Sequence, residues 1–308
     1  MGLNRRDVAC FPFSFGPFLG FWTAFEAAGR TGMRIVAAGG LSTVARLGLM
    51  ADHGATVLFC TPTYAMHLGE VAEEKGTPLH STKLRAVVVA GEPGGCASGT
   101  RDRIRALTGA RVFDHYGLTE VGPVLCEAVD EPMSLVALER DYIVEVIDPT
   151  TLQPTAPGEI GELVVTNLGR VDAPAIRYRT GDLVLAGTDV HGPTGWRLFP
   201  GGVLGRADDM LHLRGNNLYP SGIEAVLRRF PEIAEFRLIF DETGALPELR
   251  IDLEPQPSAE ASDLAGRVAK ALHEAFLVRI GVSTVPAGTL PRFEMKAKRL
   301  TRLTKAPS

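Results

Sequence analysis

Three short phrases in this 308-residue chain gather groups that could do chemistry. In Asp114-His115-Tyr116-Gly117-Leu118-Thr119-Glu120 an aromatic ring, a glycine, a hydroxyl and a carboxylate stand almost side by side. Such a set can stack a base, approach a phosphate closely and hold Mg2+. The same residues also read as a strand end followed by a cap from Thr119. In Tyr178-Arg179-Thr180-Gly181-Asp182 a carboxylate beyond a glycine turn can accept both hydroxyls of a ribose, although Thr-Gly-Asp is also common turn chemistry. Gly91-Glu92-Pro93-Gly94 follows three consecutive valines. Parallel sheets present ligands at such strand ends, where glycine lets the backbone approach a flat base; a tight strand–helix turn accounts for it equally well. A fourth phrase, Gly205-Arg206-Ala207-Asp208-Asp209-Met210 running on to Pro220, sets charge pairs beside a short alternating strand at 210–214 and a Gly-Asn-Asn turn. Charges bracketed by glycines make poor core, and suit a joint between two bodies.

The elements that must position these phrases alternate. Strand-like runs at Arg34–Ala38, Thr56–Cys60, Arg85–Ala90 and Arg111–Asp114 are separated by helical patterns at Leu41–His53, Pro62–Lys75 and Ser98–Leu107. That alternation predicts an α/β fold with a parallel sheet. After Glu120 the texture changes: Asp141–Asp148, Glu159–Thr166 and Asp182–Ala186 read as strands between Pro/Gly turns, a small β-rich subdomain. From residue 205 a second domain is expected: the strand at 210–214, a helix after Pro220, strands at Glu235–Asp241 and Leu246–Glu254, a helix near 259–279 and a strand near Val282–Val285. That is a small α+β domain, so the chain divides into 1–204 and 205–308. The Pro/Ser/Ala-rich stretch near 255–262 reads as a surface loop.

Composition narrows the partners. An apolar fraction of 45%, a charged fraction of 22% and a net charge of −4 are ordinary for a globular chain and give no electrostatic case for nucleic acid. The basic tail from Arg292 to Lys305 reads as a solvated surface. Four widely separated cysteines with no Cys-x-x-Cys pair fit a reducing cytoplasm. Arg5 and Arg6 precede an apolar stretch like that of a signal peptide, but Pro12 and Pro17 interrupt it. No run approaches the roughly 18 apolar residues of a membrane span. A soluble, cytoplasmic protein is expected.

Taken in order, the four phrases resemble the adenylate-forming enzymes, and most closely the phenylacetate–CoA ligase and coenzyme F390 synthetase-like family. Cys60-Thr61-Pro62-Thr63-Tyr64 and Leu290-Pro291-Arg292-Phe293-Glu294-Met295-Lys296 are similar to the same family, so the resemblance spans nearly the whole chain. It implies a large adenylation domain with a mobile C-terminal domain, and an ATP-dependent ligase that forms an acyl-AMP and transfers the acyl group to coenzyme A. The implied ligands are ATP/AMP, Mg2+, coenzyme A and a small carboxylate. By resemblance, Gly91, Glu92 and Pro93 line the adenine and acyl pocket beside His115 and Gly117. Tyr116 stacks on adenine, Thr119 touches phosphate and Glu120 holds Mg2+. Asp182 binds the ribose hydroxyls, Arg206 lies beside the nucleotide, Asp208 is the hinge and Lys296 is the mobile lysine of adenylation. The aromatic run holding Phe13, Phe15 and Phe18 lies where the family keeps an aryl pocket; packing into the core is an equal reading for any one ring.

The pattern departs from the family in three places. A Ser/Thr/Gly-rich phosphate loop is not found upstream of the first strands; Gly94 to Thr100 has the composition but follows the adenine phrase. The resemblance thus implies an N-terminal segment, on the order of a hundred residues, that this chain lacks. Either the sequence starts late or this is a truncated paralogue. The alternatives are a chain that binds nucleotide or acyl group without catalysis or depends on a partner supplying the missing segment, and an adenylating enzyme serving a carrier protein or an amine. A homodimer is also an open alternative. Met295 stands where the family has glycine before the lysine. Cys126 is present, but Val136 occupies the position of an expected histidine, and a structural zinc needs four ligands, so zinc is not expected.

Overall fold

Short β-branched runs separated by capped, amphipathic stretches build the first half of the chain. In the computed structural model every residue is described except 14, 17, 18, 188, 214, 215, 245, 257–262, 294–296 and 305–308. Strand and helix alternate as β1 (Val8–Phe11), α1 (Leu19–Arg30), β2 (Arg34–Ala37), α2 (Thr43–His53), β3 (Val57–Cys60), α3 (Pro62–Glu74), β4 (Ala86–Val89), α4 (Ser98–Thr108) and β5 (Arg111–Leu118). The helices start where the sequence supplies caps. Ser42 accepts the Ala45 N–H before α2, and Thr61 accepts the Tyr64 N–H before α3, with Pro62 in its first turn. Gly54 ends α2 at φ 60°, a left-handed conformation that glycine adopts without strain.

Strands β1 to β5 pair in parallel in the order β5-β4-β3-β1-β2. Both faces are covered, as a parallel sheet requires: Val8–Phe11, Val57–Cys60 and Ala86–Val89 are buried at every position. The apolar stretch after Arg6, read from sequence as resembling a signal peptide, is β1, a strand between β2 and β3. Antiparallel strands β6 (Gly122–Glu127), β7 (Ser134–Ala137) and β11 (Leu198–Pro200) extend this sheet beyond β5. The residues after Glu120 are thus split: β6, β7 and β11 join the large sheet, while β8 (Tyr142–Ile147), β9 (Ile160–Asn167), β10 (Tyr178–Leu185) and β12 (Gly205–Arg206) form a second, four-stranded antiparallel sheet. Val144, Leu163, Val165 and Val184 of that sheet pack with Leu125, Leu135 and Phe199 into one core.

The chain divides into two compact units at Ala207/Asp208. Gly205 and Arg206, expected to open the second domain, pair with β10 and belong to the first. The second unit contains the hairpin β13 (Leu211–Leu213) and β14 (Asn216–Leu218), α5 (Pro220–Leu227), β15 (Ile233–Asp241), β16 (Glu248–Pro255), α6 (Leu264–Phe276), β17 (Gly281–Thr284) and β18 (Leu300–Leu303). Its sheet runs β17-β16-β15-β18. Phe236, Leu238 and Phe240 alternate along β15 and meet Val268 and Leu272 of α6 in a core of its own. The basic tail is exposed at Lys298 and at 301–304, as a solvated surface, but it also supplies a strand: β18 pairs in parallel with β15, and Arg299 just before it is buried. The stretch near 255–262, expected as a loop, lies mostly outside the described residues.

Candidate active site

The strand end expected near Asp114 is not there. β5 runs on through the His115-Tyr116-Gly117-Leu118 phrase because β6 folds back and pairs with it, with a bulge between Tyr116 and Gly117. A Cβ on Gly117 would stand 2.5 Å from the Gly122 carbonyl oxygen, so the close turn into β6 requires glycine. Thr119 and Glu120 form the exposed turn between the strands, and Arg170 Nη1 donates to the Glu120 carbonyl at 2.5 Å.

The second phrase meets the first. Asp182 lies on β10 and is 7% exposed, and the Tyr116 hydroxyl donates to its Oδ2 at 2.6 Å. Arg206 is the cross-strand partner of Asp182 on β12; its Nη1 stands 3.4 Å from Asp182 Oδ1 and 3.5 Å from the Thr180 carbonyl oxygen. Gly181 makes this possible, with φ at 72° and no Cβ in the space where Arg206 Nη2 would lie 2.9 Å from one. Burial, and then the neighbouring Asp182 carboxylate, push the Tyr116 phenol well above its ordinary pKa. Tyr178 is also raised, by burial first and then by the nearby Glu120 carboxylate. The fold thus gathers Tyr116, Tyr178, Glu120, Asp182 and Arg206, which come from three separate stretches of sequence. Sequence reading missed Tyr178 as a participant and Arg170 entirely.

The loop at 91–95 is tied down on two sides. Glu92, expected in the adenine pocket, accepts the Thr63 N–H in the first turn of α3 at 2.7 Å. Negative charge is favourable at a helix N-terminus. Gly95 packs against Asp114 so closely that a Cβ would stand 2.3 Å from its carboxyl carbon. Beneath the loop lies a buried ion pair that the sequence did not announce. Arg101 Nη2 and Nη1 reach Glu127 Oε1 and Oε2 at 2.5 and 3.0 Å. Arg101 also donates to the carbonyls of Gly95, at 2.8 Å, and of Val112. Glu127 in turn accepts the N–H of Asp114 at 2.8 Å and of Met133 at 3.2 Å. Desolvation pushes the Asp114 carboxyl up to about 7 and His115 down to about 4, so that imidazole is neutral near pH 7. His115 Nδ1 is buried with no hydrogen-bond partner among the described residues.

The remaining expectations sort as follows. Phe13 and Phe15 pack edge-on at 5.3 Å; Phe13 stacks on Phe21 at 4.1 Å and Phe15 lies against Trp22 and Phe25. Those rings fill one another's space in an aromatic cluster formed by the segment between β1 and α1 and by α1 itself. Phe18 and Lys296 lie outside the described residues. Asp208 is the first residue of the second unit, and its carbonyl accepts from Arg302 Nη2 at 3.2 Å. Cys126 faces Val136 across the β6–β7 register.

The donor set suits a nucleoside monophosphate: a buried carboxylate for vicinal hydroxyls, an aromatic ring beside it, and an arginine for anionic oxygen. Among the described residues no cluster of three His, Cys, Asp or Glu could grip a metal by itself. Magnesium usually rests on one or two carboxylates plus phosphate oxygens, and exposed Glu120 fits that lesser demand.

Comparison with known proteins identifies the fold and the family. The fold is that of the adenylate-forming ligases. Residues 1–169 match the AMP-binding enzyme family and residues 215–303 its C-terminal domain, so the chain belongs to the AMP-binding enzyme family. The phenylacetate–coenzyme A ligase of Thermus thermophilus is 31% identical over 95% of this chain and 70% of its own length. That of Escherichia coli is 30% identical over 97% of this chain and 70% of its own. A crystal structure of 2-hydroxyisobutyryl-CoA ligase in complex with R3-HIB-AMP superposes with a TM-score of 0.92 at 28% identity, covering 98% of this chain and 66% of that one. The chain therefore spans about two thirds of the length of these relatives. Among the described residues no helix is long and apolar enough to cross a membrane.

Proposed function

We propose that this chain carries the chemistry of an AMP-forming acid–CoA ligase acting on an aromatic carboxylate. The observation that carries the reading is the buried Asp182 carboxylate flanked by Tyr116 and Arg206, in a chain that aligns along nearly all its length with phenylacetate–coenzyme A ligases. A carboxylate oxygen of the acid attacks the α-phosphorus of ATP, and the bond to pyrophosphate breaks to leave acyl-AMP. The thiol of coenzyme A then attacks the acyl carbon, and AMP departs.

No side chain acts as nucleophile, so catalysis is positioning and neutralisation of charge. Asp182 accepts the ribose hydroxyls, the Tyr116 ring stacks on adenine, and Gly91, Glu92, Pro93, His115 and Gly117 shape the wall around it. Thr119 donates to phosphate and Arg206 neutralises anionic oxygen beside the ribose. Glu120 would hold Mg2+, which when bound would offset charge on the phosphates. Lys296 bridges the two anions of the adenylation step, Asp208 is the pivot that withdraws it afterwards, and Phe13, Phe15 and Phe18 serve the acyl pocket.

The test separates the half-reactions. Supplied with phenylacetyl-AMP and coenzyme A, the protein should form the thioester, and Asp182→Ala should raise KM for the acyl-AMP about tenfold. Carboxylate-dependent ATP–pyrophosphate exchange by this chain should be feeble, and whatever exchange it supports should be abolished in Lys296→Ala while the thioester step is spared. Absence of thioester from the unmodified protein would overturn the ligase reading, and equal loss of both steps in Lys296→Ala would remove the pivot.

A further inference from the structure

We infer that Glu162, a residue outside every phrase that drew attention in the sequence, is the positioning residue that aims the Asp182 carboxylate; this rests on the reading of Asp182 as the ribose-binding group. Glu162 lies on β9, opposite Leu183 of β10 and Ile147 of β8, and is 2% exposed. The β9–β10 ladder breaks between Arg179 and Leu183, so Thr180, Gly181 and Asp182 leave the pairing with β9 just where the site needs them, while Asp182 pairs with Arg206 on the other side. A buried N–H that leaves its ladder needs another acceptor.

Glu162 supplies it, since its Oε1 accepts the Gly181 N–H at 3.0 Å. Its Oε2 accepts from Arg179 Nε at 2.9 Å and Nη2 at 2.5 Å. Thr180 completes the lock by donating to the Leu163 carbonyl at 2.8 Å and accepting the Asp182 N–H at 3.0 Å. Two successive N–H groups of the bulge are thus held by side chains. One carboxylate grips the residue before the bulge and the glycine at its centre, where φ is 72°. Without Glu162 the Gly181 peptide is free to rotate, and the carboxylate one residue on turns with it.

A role confined to fold stability would weaken every nucleotide equally, whereas an aiming role is felt only by the ribose hydroxyls. Titration calorimetry of the full chain with AMP and with 2′,3′-dideoxy-AMP reads the difference. The unmodified protein should prefer AMP, and Glu162→Ala should reduce that preference about tenfold by weakening AMP alone. Glu162→Gln, which keeps an oxygen for the Gly181 N–H, should hold the preference within about threefold. Glu162→Met serves if the alanine variant does not fold, and failure of both to fold would assign Glu162 to stability alone and overturn the proposal. An unchanged preference in a folded variant, or equal weakening of both ligands, overturns it while leaving Asp182 in place. If the unmodified protein shows no preference, the ribose role of Asp182 falls and the aiming role falls with it.

Discussion

The strands that carry Tyr116 and Asp182 are each pinned by a buried carboxylate, but the arginines opposite them live in different surroundings. In Arg101–Glu127 the side chains are 7% and 0% exposed; in Arg179–Glu162 they are 49% and 2% exposed. A pair with both ends out of water has given up both hydration shells, and each charge depends on the other. A pair with one wet end has a second source of solvation for its arginine. The first therefore locks the fold around the 91–95 loop and β5, while the second mainly sets the direction of one turn. The second unit repeats the contrast: Arg299–Glu235 is buried at both ends, whereas the arginine of Arg292–Glu254 is 44% exposed.

The sharpest way to break the comparison is to remove one carboxylate at a time. Glu127→Ala leaves Arg101 buried without its counter-charge and should cost about 3–5 kcal/mol in urea unfolding. Glu162→Ala strands only the Gly181 N–H and should cost about 1–3 kcal/mol. Equal losses would mean that exposure of the arginine does not matter.

Next in size are the glycines beside each pin. Gly95→Ala drives a methyl into Asp114, inside packed surroundings, and should cost about 1–3 kcal/mol. Gly181→Ala meets only the end of the flexible Arg206 side chain, and its cost, about 1–2 kcal/mol, comes from the left-handed backbone. Thermal melts of the two variants test that order.

The smallest effect at any one pH belongs to two more pins with a wet arginine. Arg85 holds the Asp7 carboxyl down at about 2. Burial acts to raise Glu254, but Arg292 and the N–H groups of Gly288 and Leu290 outweigh it and hold that carboxyl at about 2 as well. Both pKa values lie below those of the unfolded chain, near 4. Their stabilisation is complete above pH 5 and drains away as pH falls from about 4 towards 2. Acid unfolding of Asp7→Asn and Glu254→Gln should therefore be less steep over that window than that of the unmodified protein.

Much of this was legible. The alternation from Arg34 to Thr108 gave strands and helices within a residue or two, since buried runs such as Val87–Val89 and caps such as Ser42 and Thr61 are local signals. β1 was not, because Val8–Phe11 is only four residues long and flanked by arginines and prolines. β5 was cut short at Asp114; its continuation rests on pairing with β6, His115 with Cys126 and Tyr116 with Leu125, a partnership that no local period announces. β18 hid inside a run of basic residues because its pairing partner, β15, lies some sixty positions earlier.

What the sequence indicated by itself is the family: the phrases around Tyr116, Asp182 and Arg206 follow one another in the order that resembles the adenylate-forming enzymes, and the chain belongs to the AMP-binding enzyme family. Tertiary structure decided how those groups are held. That Tyr116 donates to Asp182, and that Glu127 and Glu162 pin the two strands, depends on strand register and on a break in the β9–β10 ladder. A glutamate in a β-rich run says only that a charge is present. Which N–H and which guanidinium satisfy it is settled when water is excluded and each buried polar group must find a partner.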